Sequence, residues 1–182
     1  MNATFPSPQD DCFTILGVAI NATPDDVRAA ARRLTLKFHP DRFAAAGSDV
    51  QADAELASML VSDAAKRLSD VFARATYILK HTFNVQLHDL RHQQPPADLF
   101  ARILETQEAL VDIQMGEPAD RAALAVDLAN YNADLTACEE QLWAVLGRMA
   151  DGETVTADDI AAPLMLHGYL IRVTNGISAV LA

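Results

Sequence analysis

Val27-Arg28-Ala29-Ala30-Ala31-Arg32-Arg33-Leu34-Thr35-Leu36-Lys37-Phe38-His39-Pro40-Asp41 is the stretch that decides the fold of this chain. Val27, Ala31, Leu34 and Phe38 recur at i, i+4, i+7 and i+11, so a helix through them carries one apolar stripe. At about 100° per residue, Arg28, Arg32, Arg33 and Lys37 fall on the opposite half, a face read as four cations without an anion. Pro40 disfavours helical geometry at His39, so His39-Pro40-Asp41 closes the helix and opens a loop. The triplet alone is a weak signal, expected by composition in on the order of one chain of this length in a hundred. Its position directly after a short basic amphipathic helix gives it weight.

The flanking residues fit the same scheme. Thr23 is placed to cap the helix, Pro24 suits its first position, and Asp25 and Asp26 lie where the helix dipole favours negative charge. Before it, Cys12 to Leu16 reads as a short helix closed by Gly17, with Phe13 and Leu16 buried. After it, Gly47 releases the loop, and Ser48 or Asp49 starts a second long helix. Leu56, Met59 or Leu60, Ala64 and Leu68 form its expected stripe. Beyond a break near Asp70, Phe72, Ala75, Tyr77, Ile78 and Leu79 continue it. Two antiparallel helices joined by an exposed loop are predicted.

Residues 81–97 read as a linker. His81, His88 and His92 lie there without carboxylate or thiol support, so no metal site is expected. Three helices then follow, at about Asp98 to Met115, Ala119 to Ala150 and Ala157 to Leu181. Leu124, Leu128, Tyr131, Leu135, Cys138, Leu142, Val145 and Met149 step by four and three in the middle one. Leu166, Leu170, Val173, Ile177 and Val180 make a matching stripe in the last. Short connections at Gly116-Glu117-Pro118 and at Asp151 to Thr156 predict an antiparallel three-helix bundle. The fold class is therefore all-α, with a helical hairpin unit over 10–80 and a bundle over 98–182.

Charge separates the two parts. Residues 1–80 carry 9 Lys and Arg against 10 Asp and Glu, and residues 81–182 carry 5 against 15, so the net −11 lies almost wholly in the second part. Such a chain is a poor candidate for nucleic acid, where affinity depends on neutralising phosphates. Pro163, His167, Arg172 and Asn175 interrupt the apolar residues of the last helix and argue against a membrane span. Cys12 and Cys138 form no CxxC pair and are expected in the core rather than in a disulfide, zinc site or iron–sulfur centre. No resident cofactor is expected. The N-terminal MNATFPSPQDD has the character of neither a transit nor a secretory signal, and a bacterial cytoplasmic location is expected.

The helix from Asp98 carries one apolar side more than a bundle requires. Leu99, Ile103, Thr106, Leu110 and Ile113 suffice for packing. Phe100, Ala101 and Leu104 lie on a different side, beside Glu105, Glu108 and Asp112. They could pack on the linker or the first unit. An apolar centre with an acidic rim also suits a basic protein partner.

The segments Cys12-Phe13-Thr14-Ile15-Leu16-Gly17, Leu34-Thr35-Leu36-Lys37-Phe38 and His39-Pro40-Asp41-Arg42-Phe43 together resemble a J-domain. That resemblance implies docking on a seventy-kilodalton heat-shock-type chaperone ATPase and stimulation of its ATP hydrolysis. His39, Pro40 and Asp41 would be indispensable, with Arg28, Arg32, Arg33 and Lys37 adding electrostatics. Arg74-Ala75-Thr76-Tyr77-Ile78-Leu79 and Leu104-Glu105-Thr106-Gln107-Glu108-Ala109-Leu110 are similar to segments of the HscB co-chaperones of iron–sulfur cluster assembly, whose ATPase partner is HscA. By that resemblance Phe100, Ala101, Leu104, Glu105, Glu108, Asp112 and Tyr169 would bind the cluster scaffold IscU. Ala101, Asp112 and Tyr169 depart from the family's usual longer apolar residue, Glu and Phe, and Val71 stands where Pro is common. The resemblance implies an adaptor with no catalytic chemistry. A general J-protein for other clients is the alternative. A hydrolase using His39 and Asp41 would need a pocket, a nucleophile and an oxyanion site that the sequence does not supply.

Overall fold

In the computed structural model, residues 5–90, 95–116 and 120–182 are described, and they contain helices and turns but no strand. His92, Glu117 and Pro118 lie outside the described residues. The helices are α1 (Cys12–Leu16), α2 (Pro24–Lys37), α3 (Ser48–Leu68), α4 (Val71–Phe83), α5 (Ala97–Gln114), α6 (Arg121–Ala150) and α7 (Ala157–Leu181). Short 3-10 turns occupy Pro40–Phe43 and Leu87–Leu90. The chain forms two compact units. One runs up to Tyr77 and includes Leu146–Thr154; the other comprises Ile78–Val145 and Val155–Ala182.

In the first unit, α1 and α2 both pack on α3. Asp11 caps α1 by accepting from the Phe13 and Thr14 N–H groups. Burial opposes ionisation of Asp11, but the hydrogen bonds from the Thr14 hydroxyl and from both amides prevail and hold its pKa below the usual value. Gly17 ends α1 at φ 64, a left-handed conformation that a side chain would strain. Thr23 and Asp26 close a reciprocal capping box on α2. Gly47, at φ 99, turns the chain into α3 without a side-chain cap.

The α3 stripe differs from the expected one. Ala54, Ala57, Val61, Ala64 and Leu68 are buried, whereas Leu56 and Met59 are exposed at 41% and 69%. Small residues occupy the inner positions because α1 and α2 both approach this face closely, leaving the larger side chains outside.

The break at Ser69-Asp70 is present, and α4 follows with Arg74 and Tyr77 turned inward. Arg74 is fully buried and donates to the carbonyls of Ile20 (3.1 Å), Ala22 (2.5 Å) and Leu68 (2.9 Å). Burial pulls its pKa down against the opposing charge of Asp70, yet an arginine remains charged under such conditions. The Tyr77 hydroxyl accepts from the Cys12 N–H at 2.9 Å, and its ring meets Phe13 edge-on. These two residues fasten the α1–α2 connection and the start of α1.

In the second unit, Leu124, Tyr131, Cys138, Leu142 and Val145 of α6 are buried, as are Leu170, Val173 and Ile177 of α7. The inner face of α5 contributes Leu99, Thr106 and Leu110. A second capping box, Thr156 with Asp159, starts α7, which continues through Pro163. Leu110 approaches α7 where Gly176 leaves room: a Cβ there would lie 3.1 Å from Leu110 Cδ1.

Candidate functional site

Two surfaces carry the residues singled out by the sequence. The first is the tip between α2 and α3. Phe38 is buried at the end of α2, where its carbonyl accepts from Ser58 Oγ of α3 at 2.9 Å. The Phe5 ring packs against Phe38 and Phe43 at centroid distances of 5.6 and 5.4 Å. The base of the turn is thereby anchored while its outer residues stay open to solvent.

His39 adopts extended backbone geometry (φ −60, ψ 128), as a residue before proline should, and caps the turn that Pro40 starts. Its Nδ1 accepts from the Asp41 N–H at 3.3 Å. In that arrangement Nδ1 is unprotonated, so the proton of the neutral ring resides on Nε2. The 3.6 Å approach of Asp41 Oδ2 to Nδ1 becomes an ion pair only on protonation, which forfeits the cap. The Arg42 N–H donates to the His39 carbonyl at 3.0 Å. Its guanidinium donates to the Leu36 carbonyl at 3.2 Å and ties the turn back to α2. The His39 and Asp41 side chains are 50% and 90% exposed, which suits docking and gives a general base no desolvated pocket.

The basic face differs from the expected one in one respect. Arg28 pairs with Asp25 one turn earlier, so this cation is partly neutralised within its own helix. Arg32 and Arg33 are exposed, and the Lys37 ammonium lies 4.9 Å from the centre of the Phe38 ring. Leu36, 63% exposed, lies one turn after both Arg32 and Arg33, in the middle of the cationic face. Leu36 stands outside the apolar stripe of Val27, Ala31, Leu34 and Phe38, so periodicity gives it no role, and a turn brace such as Arg42 has no periodic signal at all.

The second surface is the outer face of α5. Phe100 and Leu104 are 38% and 47% exposed, and Ala101, Glu105, Glu108 and Asp112 are exposed with them. On the opposite face, Arg102 pairs with Asp134 at 3.2 Å and stacks on the Tyr131 ring at 4.9 Å. Thr106 and Tyr131 share a buried hydrogen bond. The helix is therefore fixed from behind. Tyr169 is half-buried on α7 with the Arg172 guanidinium 4.8 Å from its ring centre. It lines a cavity with Pro95 and Pro96, which directly precede α5. This places Tyr169 beside the residues that lead into α5.

The DnaJ domain family model matches residues 11–77, the segment containing α1 to α3 and the His39 turn. Chaperone protein dnaJ 72 of Arabidopsis thaliana is 42% identical over 67 residues, covering 37% of this chain and 36% of that protein. A Co-chaperone protein HscB homolog of Neisseria meningitidis (serogroup A) aligns much further, with 25% identity over 172 residues, 93% of this chain and 98% of the relative. Over nearly its whole length the chain is similar to an HscB co-chaperone. A Neisseria gonorrhoeae HscB homolog is 26% identical over 136 residues, covering 74% of this chain and 78% of the relative. The fold is similar to that of chaperone HscB from Vibrio cholerae, with TM-score 0.62 and 20% identity over 94% of this chain and 97% of that one. The chain is an all-α co-chaperone with an N-terminal J-domain, and the J-domain implies partnership with a heat-shock-type chaperone. Among the described residues, no helix is long and apolar enough to cross a membrane.

Proposed function

We propose that this co-chaperone stimulates the ATPase of an HscA-like chaperone and delivers to it an IscU-like iron–sulfur scaffold for cluster transfer. The observation that carries this reading is the presence, in one HscB-type chain, of an exposed His-Pro-Asp turn and a separate exposed apolar face rimmed with acid. Residues 10–80 act as the chaperone-docking domain, 81–97 as linker and 98–182 as the scaffold-binding domain. His39, Pro40 and Asp41 engage the ATPase, while Arg28, Arg32, Arg33 and Lys37 steer it by charge. Phe100, Ala101, Leu104, Glu105, Glu108 and Asp112 hold the scaffold, with Tyr169 beside the residues that lead into α5. The cluster is cargo carried by the scaffold. Holding both proteins at once turns their weak encounter into a nearly intramolecular one.

Steady-state ATPase assays with the purified chaperone and scaffold test the reading. Together, this protein and the scaffold stimulate more than the sum of their separate effects. His39→Gln removes stimulation and leaves scaffold binding intact, whereas Leu104→Ala/Glu108→Ala does the reverse. Unimpaired stimulation by His39→Gln refutes the docking role. Capture of unfolded proteins without preference for the scaffold points instead to a general J-protein.

A further inference from the structure

The exposed apolar face of α5 does not end at Leu104. Val111 and Met115 are 49% and 80% exposed, and both lie on the side of the helix that carries Phe100 and Leu104. At about 100° per residue, Phe100, Leu104, Val111 and Met115 fall within an arc of about 60°. Glu108, Asp112 and Glu105 occupy the adjoining arc on one side only, and the neutral Gln107 and Gln114 border the other side. Two parallel rows result, one apolar and one anionic, along about 22 Å of helix.

We propose that the docking surface runs the length of α5 to Met115, and that its occupant is a protein segment presenting an apolar row with cations along one edge. The proposal rests on the reading of α5 as the scaffold-binding helix and extends it to two residues outside that set. Charge selects the occupant. Among the described residues, no cation forms an ion pair with Glu105, Glu108 or Asp112, so the anionic row is available to a partner. A second copy of this chain would set two such rows against each other, a repulsive arrangement. Ala101 offers only a methyl group near the start of the helix, and the longer side chains of Val111 and Met115 place apolar contact area at its other end. The asymmetric edge also fixes polarity, because an apolar–basic segment reversed end for end, its apolar row still facing α5, would set its cations against the glutamines.

Two measurements on the full-length protein test this. In the first, a synthetic helical peptide with a leucine row and lysines along one edge is titrated into methyl-labelled protein, beside a control peptide with glutamates for the lysines. The Met115 methyl resonance shifts with the lysine peptide and not with the glutamate peptide. A Leu104 shift without a Met115 shift, or no shift at either residue, overturns the extension. In the second, purified IscU-like scaffold is titrated calorimetrically. Val111→Ala/Met115→Ala weakens binding about tenfold while circular dichroism and melting are unchanged. If Leu104→Ala/Glu108→Ala abolishes binding and the Val111/Met115 pair has no effect, the extension fails and the scaffold reading stands. If the wild type ignores the scaffold but the lysine peptide moves Met115, the surface stands and the scaffold reading fails. Self-association of the protein alone, abolished by Met115→Lys, would make a second copy the occupant and overturn the proposal.

Discussion

Thr106 Oγ1 and the Tyr131 hydroxyl lie 2.9 Å apart in the interior of the second unit. Thr106 also donates to the Arg102 carbonyl at 3.0 Å. A carbonyl only accepts, so Thr106 spends its proton there and Tyr131 must be the donor to Thr106. The outer face of α5 thus owes its rotation to a directional polar contact on the inner face, supplemented by Arg102 on Asp134.

Tyr131→Phe leaves Thr106 with a satisfied donor and is expected to cost about 1 kcal/mol in urea denaturation. Thr106→Val removes the acceptor that the buried Tyr131 hydroxyl has among the described residues and is expected to cost more, roughly 1–3 kcal/mol. If α5 is held by this pair, Thr106→Val also weakens partner binding although its side chain is buried. Unchanged affinity would show that packing alone fixes the helix.

Gly176 and Leu110 make an equally specific pair. Gly176→Ala gains helix propensity of about 1 kcal/mol, offset by the 3.1 Å approach of the new Cβ to Leu110 Cδ1. The net change in melting temperature should be small. Gly176→Val overfills the contact and should destabilise by roughly 1–3 kcal/mol. In a double-mutant cycle, Leu110→Ala should partly relieve Gly176→Val, making the combined loss smaller than the sum.

Arg74→Met should destabilise the first unit by about 3 kcal/mol or more, because three carbonyls lose their donor and two of them belong to the α1–α2 connection. Arg74→Lys should recover little, since an ammonium cannot reproduce the fork of the guanidinium. Limited proteolysis within residues 18–22 would report the loosened loop, and protection equal to wild type would argue against this role.

Cys138 provides a pH-dependent prediction. Burial, reinforced by the charge of Asp134, pushes its thiol from 9.0 up to about 11. The unfolded chain therefore loses this proton first as pH rises. The stability from burying a neutral thiol is complete below about pH 9 and declines as pH climbs toward 11. The difference in unfolding free energy between wild type and Cys138→Ala should shrink across that window. A difference independent of pH would mean that the thiol already ionises normally in the fold.

Salt should distinguish the two halves of the tip. Arg32→Ala and Arg33→Ala, made singly, should each slow association with the chaperone and flatten its dependence on ionic strength, as exposed cations that steer encounter do. Arg28→Ala should do so less than either, because Asp25 already neutralises part of that charge. Stopped-flow rates at two salt concentrations make the comparison, and equal effects from the three single variants would remove the distinction.

What the sequence determined by itself was everything set by neighbours within a turn or two. The Thr23 cap, Gly17, Gly47, the Pro40 stop and the four-and-three spacing of α6 act through backbone geometry and helix periodicity, so the helices and the His39 turn were legible before any contact was known. The all-α class followed, and so did an outer face on α5 with Leu104 among its exposed residues. Tertiary structure decided which apolar residues are covered and which polar ones are used. It set Val61 inward and Met59 outward on α3, because two helices press on one face, and it buried Arg74 against carbonyls from a distant loop. It also left Val111 and Met115 uncovered at the end of α5. Periodicity identifies a helix face, but only the elements packed around it determine whether water still reaches that face.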